Sequence, residues 1–290
     1  MEYKRRDFLK TAGLVGAGLI AGSWLPGCNG KSAATPGRTF GIQLYTLRDV
    51  LPSDPAGVIR QLASFGYKQI ESYEGDKGMF WGMKNTEFKS LLDGLDMKLV
   101  ASHCNIDQNF EQKAAEAAAI GMPYLICPWV GPQKSIDDFK RLAARFNQLG
   151  EICRKNGLRF AYHNHDYSFL PLEGQMPQDV LMTQTDPNLV DYEMDIYWVV
   201  TAGQDPNAWL DKYPNRFRLS HIKDRRKGAA PTDKDASVVL GTGSINFPSI
   251  LEKARSRGMS YYFVEQEAYV NTTPVDASKK NAEYMKGLKV

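Results

Sequence analysis

Cysteine is scarce in this 290-residue chain: Cys28, Cys104, Cys127 and Cys153, with no Cys-x-x-Cys pair. That usage speaks against a disulfide framework. Cys127 falls in a predicted strand and Cys153 in a predicted helix, so buried free thiols are expected. An excess of one charge is also lacking. The formal net charge is +3, and removing residues 1–27 takes away four basic and two acidic residues, leaving +1. A body so close to neutral offers no electrostatic footprint for nucleic acid. No comfortable membrane span is present, since the one long apolar run is short and glycine-rich. No Gly-x-Gly-x-x-Gly follows the first predicted strand, which removes the dinucleotide-binding fingerprint. What remains is ordinary for a globular protein, 43% hydrophobic and 24% charged, enough for a sizeable core.

The N-terminus reads as an export signal over residues 1–27. Lys4-Arg5-Arg6-Asp7-Phe8-Leu9-Lys10 resembles the bacterial twin-arginine motif, and the uncharged run Ala12 to Leu25 follows it. The alternative is an ordinary amphipathic leader helix. Leu25-Pro26-Gly27-Cys28 resembles a lipobox whose cysteine would carry a lipid anchor, although Pro26 departs from the usual small residue. Residues 28–38, rich in Gly, Ser, Ala and Pro, read as a flexible tether. The expected location is the periplasm or the outer surface, with any membrane contact made only through Cys28.

From residue 39 short apolar runs alternate with helical patterns. Strands are expected at Thr39–Tyr45, Tyr67–Ser72, Met97–His103, Pro123–Trp129, Arg159–His163, Val190–Asp195, Phe217–Ile222 and Tyr261–Gln266. Helices are expected at Pro55–Phe65, Thr86–Leu95, Gln108–Ile120, Ile136–Asn156, Met176–Gln184, Pro206–Lys212, Phe247–Ser256 and Asp276–Leu288. Glycines at 66, 121, 157 and 258 punctuate the helix ends. Eight of each in about 250 residues is the count of a (β/α)8 TIM barrel, an α/β fold filling residues 39–290 as one domain. An open doubly wound sheet is the runner-up.

All four histidines lie at strand ends: His103, His163, His165 and His221. Asp195 and Glu265 end two further strands. In a parallel barrel the C-terminal strand ends converge on one mouth, so these side chains would meet. A lone histidine near a strand is usually a hydrogen-bonded core residue. Here His163, Asp195, His221 and Glu265 end four consecutive strands, and two imidazoles with two carboxylates suit a divalent ion. Clustered without a cation they would be costly to bury.

At these residues the chain resembles the xylose isomerase-like superfamily, often called sugar phosphate isomerases/epimerases. The resemblance covers residues 39 to about 288 and is carried by Tyr162-His-Asn-His-Asp166, Met194-Asp195, Ser220-His-Ile-Lys-Asp224 and Val264-Glu-Gln-Glu267. It implies a catalytic divalent metal held by His163, Asp195, His221 and Glu265, with Mn²⁺, Co²⁺ or Zn²⁺ favoured over Mg²⁺. Many members place Glu where this chain has His163, which leaves His165 as the alternative ligand. Glu71 resembles the family's acid facing the substrate and is a candidate proton acceptor beside His165. Lys223 is a candidate oxyanion stabiliser. His103, Asn164 and Asp224 are candidate substrate contacts, and Trp129, Tyr197 and Trp198 offer flat faces for a sugar ring. Glu267 shares the face of Glu265. The long polar segment Arg225 to Phe247 is a candidate cover for the substrate, with Gly241-Thr-Gly243 read as a turn.

Such a site suits proton abstraction next to a carbonyl. Returning the proton elsewhere isomerises or epimerises a sugar; expelling a β-substituent makes the enzyme a lyase. The leader and the lack of a basic pocket point to an unphosphorylated sugar or glycoside, and exported members of this superfamily resemble enzymes acting on 3-keto-glycosides. A sugar isomerase or epimerase, a non-catalytic sugar-binding lipoprotein and an endonuclease are the other readings, the last disfavoured by the near-neutral body. Oligomeric state is left open.

Overall fold

Eight parallel strands close into a barrel in the computed structural model, which describes residues 39–289. The leader, the tether and Cys28 lie outside the described residues. In chain order the barrel strands are β1 (Gly41–Gln43), β2 (Gln69–Tyr73), β3 (Lys98–His103), β4 (Tyr124–Cys127), β5 (Arg159–His163), β6 (Val190–Asp195), β7 (Phe217–Ile222) and β10 (Tyr261–Val264). Each pairs with its sequence neighbour, and β1 closes on β10 with Gly41 opposite Phe263. All eight expected helices are present, with ends shifted by a few residues: α1 (Pro55–Phe65), α2 (Asn85–Asp93), α3 (Phe110–Ala118), α4 (Ile136–Lys155), α5 (Pro177–Gln184), α7 (Pro206–Lys212), α8 (Phe247–Ser256) and α9 (Pro274–Gly287).

Local chemistry explains why α4 forms and where it stops. Ser135 caps it by accepting from the Asp138 amide, while the Asp138 carboxylate accepts from the Ser135 amide. Acids occupy its first turn and bases its last, matching the helix dipole. Phe139, Phe146, Leu149 and Cys153 form its buried stripe, and the Phe146 ring stacks on Tyr162 of β5 at 5.0 Å. A side chain at Gly150 would meet Leu189 atoms at 2.8 Å, so only glycine permits this approach. Cys104, Cys127 and Cys153 are buried free thiols, as their apolar surroundings lead one to expect.

Inside the barrel the side chains lie in layers. At the N-terminal end Tyr124 donates to Asp191, which also takes the Arg159 guanidinium. Above lies an apolar plug of Val100, Ala101, Ile126, Ala161, Leu219 and Phe263. The polar cluster of the candidate site fills the C-terminal end, so the interior is a packed core with a floor rather than a pore.

The structure adds elements that the pattern missed. A short helix, α6 (Ile196–Thr201), follows β6 directly. Ile-Tyr-Trp-Val-Val-Thr has weak helix propensity, but the Asp195 carboxylate caps it by accepting from the Trp198 amide at 3.2 Å. Expected strands that ran to Tyr45, Trp129 and Gln266 end instead at Gln43, Cys127 and Val264. The first ends early because Leu44–Leu47 turns into a 3-10 helix, the Gln43 side chain accepting from the Tyr45 amide.

After β7 a two-residue strand, β8 (Asp224–Arg225), pairs antiparallel with β9 (Ser237–Val238). Two expectations fail here. Asp224 does not face a substrate: it is fully buried and accepts from the amides of Arg225, Gly241, Gly243 and Ile245 at 2.8 to 3.2 Å. Gly241, at φ +81°, supplies the turn that brings these amides round. Tyr197 offers no face to the cavity either: it is fully buried with Lys223 and Arg225 about its ring, and its hydroxyl donates to the Lys234 carbonyl and accepts from Arg225 and the Ala236 amide. Both residues pin the segment in place. Asp224→Ala should strand the buried amides of Arg225 and Ile245, leave those of Gly241 and Gly243 to water, and cost about 3 kcal/mol, read as a lower urea midpoint at unchanged slope.

Candidate active site

The rim cluster follows from strand parity. Alternate residues of a strand face the same side, so His163 of β5, Glu193 and Asp195 of β6, and His221 of β7 all point inward with Glu71 of β2 and His103 of β3. Register brings them level, with His163 opposite Glu193 and Asp195 opposite His221. Glu265 follows β10 by one residue and its carboxylate lies 3.1 Å from His221 Nδ1.

Two overlapping donor groups result. His103, His163, Glu193 and His221 each offer an atom within 4.8 Å of the others, and so do Asp195, His221 and Glu265. Asp195 Oδ2 is buried with no hydrogen-bond partner. Around it stand His163 Nε2 at 3.8 Å, His221 Nδ1 at 3.9 Å and Lys223 Nζ at 3.6 Å. Burial pushes the Asp195 carboxyl up to about 7, with Lys223 and His221 opposing. His163 is pulled down to about 3 by burial and by His221. His165 is also held well below its usual value, by burial, His163 and Lys223. Burial works against the charge on His103, but Glu71 and Glu193 outweigh it and raise this group to about 9.

Over this floor opens a cavity of about 440 Å³. Tyr45, Tyr73, Trp129 and Trp198 give it aromatic walls, and His103, His163, His165, Glu74, Glu265 and Glu267 supply polar edges. Among the described residues no lysine or arginine lines it. The His165 ring stands 4.5 Å from Trp129 and 5.3 Å from Trp198. Trp129 is more than half exposed, a free face at the mouth.

Several expectations change. Glu71 does not face the cavity. It is fully buried beneath the histidines, accepting from Gln43 at 2.5 Å and lying 2.7 Å from His221 Nε2, and burial and Glu193 raise its pKa. Lys223 is buried too, its ammonium held by Glu267, Glu265 and Asp195 rather than presented to substrate. Asn164 brackets Asp195 by bonding both its amide and its carbonyl at 3.2 Å, and so orients that residue. None of the residues lining the cavity comes from the 225–247 segment. Glu193 escaped the sequence reading, although Asp191, Glu193 and Asp195 alternate along one strand face and parity alone could have found it.

Known proteins agree with this architecture. A sugar phosphate isomerase/epimerase from Parabacteroides distasonis superposes with a TM-score of 0.77 at 28% identity, covering 91% of this chain and all of that one. The IolI protein with a bound zinc atom superposes at 0.71 over 86% of this chain and 97% of that one, and at 16% identity it shows the fold alone. The inosose dehydratase of Lacticaseibacillus casei is 29% identical over 169 residues, 53% of this chain and 56% of that protein. The chain thus spans about half the length of the curated relatives it matches. A family model described as the xylose isomerase-like TIM barrel matches residues 59–288, and the chain belongs to that family.

Proposed function

We propose that this chain is a divalent-metal-dependent lyase for unphosphorylated cyclic keto-sugars, with 3-keto-glycosides as the leading substrate class. The observation that carries this reading is the partnerless Asp195 Oδ2 among His163 Nε2, His221 Nδ1 and Lys223. Donors bound to one ion at about 2.0–2.2 Å stand roughly 3–4 Å apart; Asp195, His221 and Glu265 offer atoms within 4.8 Å of one another, and His163 Nε2 stands 3.8 Å from Asp195 Oδ2. His163, Asp195, His221 and Glu265 would hold the ion, and the N/O mixture suits Mn²⁺, Co²⁺ or Zn²⁺ better than Mg²⁺. When bound, the ion polarises the substrate ketone and stabilises the enolate oxygen.

The protein's own groups do the rest. Trp129 and Trp198 pack on the apolar face of the sugar ring. His165, kept neutral by burial, accepts the proton from the carbon next to the ketone. The C–H electron pair becomes the new double bond, and the bond to the β-oxygen breaks. His103, kept charged by Glu71 and Glu193, is the donor available to the departing oxygen. The products are an unsaturated ketone and a free alcohol. The bare, lysine-free walls support a substrate without phosphate, and the expected twin-arginine export to the periplasm or outer surface, with or without a lipid on Cys28, is part of the same proposal.

A second reading has a specific support: the relatives named inosose dehydratase suggest water as the leaving group and an inosose as the substrate. Incubation with an aryl 3-keto-glucoside and Mn²⁺ or Co²⁺ should release the aglycone. Water loss from an inosose without aglycone release would favour the second reading. Solvent hydrogen exchange with no leaving group would make the enzyme an isomerase or epimerase.

Two further outcomes are expected. Native protein should carry a stoichiometric divalent metal by elemental analysis, and His221→Ala or Glu265→Ala should lose it; a metal-free wild type would count against the site. His165→Ala should keep the metal but lower kcat by about 10²- to 10⁴-fold, the usual worth of a positioned acid or base.

A further inference from the structure

Beyond its share in keeping His103 charged, Glu193 has no part in the chemistry above, yet it is fully buried beneath the cavity floor. Its Oε2 lies 2.9 Å from His103 Nε2, 3.0 Å from His163 Nδ1 and 3.3 Å from His221 Nε2. A single oxygen at the meeting point of three ring nitrogens is a shared acceptor. It fills the place an ion would need if His103, His163, Glu193 and His221 formed a metal site of their own, which argues against a second ion there.

The opposite edges of two of these rings matter more. His163 turns Nδ1 to Glu193 and Nε2 to Asp195, and His221 turns Nε2 to Glu193 and Glu71 and Nδ1 to Asp195 and Glu265. A neutral imidazole has one N–H and one lone pair, and a carboxylate on one edge draws the N–H to itself. For His163 no comparable acceptor stands on the other edge, since Asp195 Oδ2 is at 3.8 Å.

We propose that Glu193 is a positioning residue that selects the Nδ1–H tautomer of His163, aiming the Nε2 lone pair at Asp195, and that shares the Nε2–H of His221 with Glu71. The purpose follows from strand five. A carboxylate there, as in many resembling proteins, binds a cation with either oxygen and brings a negative charge. An imidazole binds in one tautomer only and brings none. Glu193, directly opposite His163 in the ladder, supplies both the orientation and the charge.

The inference rests on the proposed metal site for its purpose, but its test reads the histidines directly. In metal-free full-length protein labelled with ¹⁵N in the histidine rings, two-bond proton–nitrogen correlations report each tautomer, with His103→Asn and His165→Gln assigning the signals. Wild type should show His163 as the Nδ1–H form. Glu193→Met, which fills the space without an acceptor, should mix the tautomers of His163 and weaken Zn²⁺ binding, in competition with a chelator, by about 10- to 100-fold. Glu193→Gln, which retains an acceptor oxygen, should lose less affinity. The Nε2–H form of His163 in wild type would overturn the proposal, and so would unchanged tautomers and Zn²⁺ affinity in Glu193→Met. The expected tautomer in a protein that binds no Zn²⁺ would uphold the role of Glu193 while removing the metal from the proposed function.

Discussion

The closed parallel sheet imposes one constraint on everything else here. Every second residue of each strand must point into the barrel, and the last inward position of every strand lies at the same rim. Below the rim that interior is filled by Ala101, Ile126, Ala161, Leu219 and Phe263, which leave no route through. At the rim the same parity gathers Glu71, His103, His163, Glu193, Asp195 and His221 from strands far apart in sequence. The site is thus the top layer of the core, held as rigidly as the apolar layer beneath it.

That layer is costly unless it is neutralised. Glu71, Glu193, Asp195, Glu265 and Glu267 stand against a single lysine, Lys223, and a group of imidazoles. Buried carboxylates in such number protonate, recruit cations or destabilise the fold. Both tendencies are visible in its own groups: burial raises the Asp195 and Glu71 carboxyls, and neighbouring carboxylates raise the pKa values of His103 and His221. Left over are Asp195 Oδ2, Glu71 Oε2 and Glu193 Oε1, all buried and without a hydrogen-bond partner. A divalent cation beside Asp195 would offset much of that surplus charge, so the metal reading has an energetic basis as well as one in residue types.

Most of the architecture was legible because α/β repetition writes itself in period and punctuation. The helices Pro55–Phe65, Pro206–Lys212 and Phe247–Ser256 and the strands Arg159–His163, Val190–Asp195 and Phe217–Ile222 fall where the pattern put them. Illegible were features in which tertiary context overrides local preference. Ile196–Thr201 looks like a strand and is a helix because Asp195 caps it. Asp224 looks like a rim carboxylate because it follows His221-Ile-Lys. Its partners are amides some twenty residues on, and no local pattern announces that. Glu193 is the opposite case, an omission that counting by twos from Asp195 would have repaired. Glu71 and Lys223 show the remaining limit. Residue type placed them near the chemistry, but whether a side chain faces the cavity or lies beneath its floor depends on which neighbour reaches it first.

The same electrostatics bears on the substrate. A phosphate dianion entering this cavity would meet Glu74, Glu265 and Glu267 on the walls and no lysine or arginine. Two neighbouring cations are already committed, Lys223 to three carboxylates and Lys113 to Glu74 at 2.7 Å, while Arg48 donates to the Glu267 carbonyl. Recruiting Lys223 would leave the buried Asp195 and Glu265 unpaired, at a cost of several kcal/mol. A neutral ring suffers no such penalty. It gains contact with Trp129, Trp198, Tyr45 and Tyr73, and it can present hydroxyl donors to the wall carboxylates that would repel a phosphate. Walls poor in positive charge and a floor that would take a cation are the features on which the proposal of a neutral polyhydroxy ketone rests.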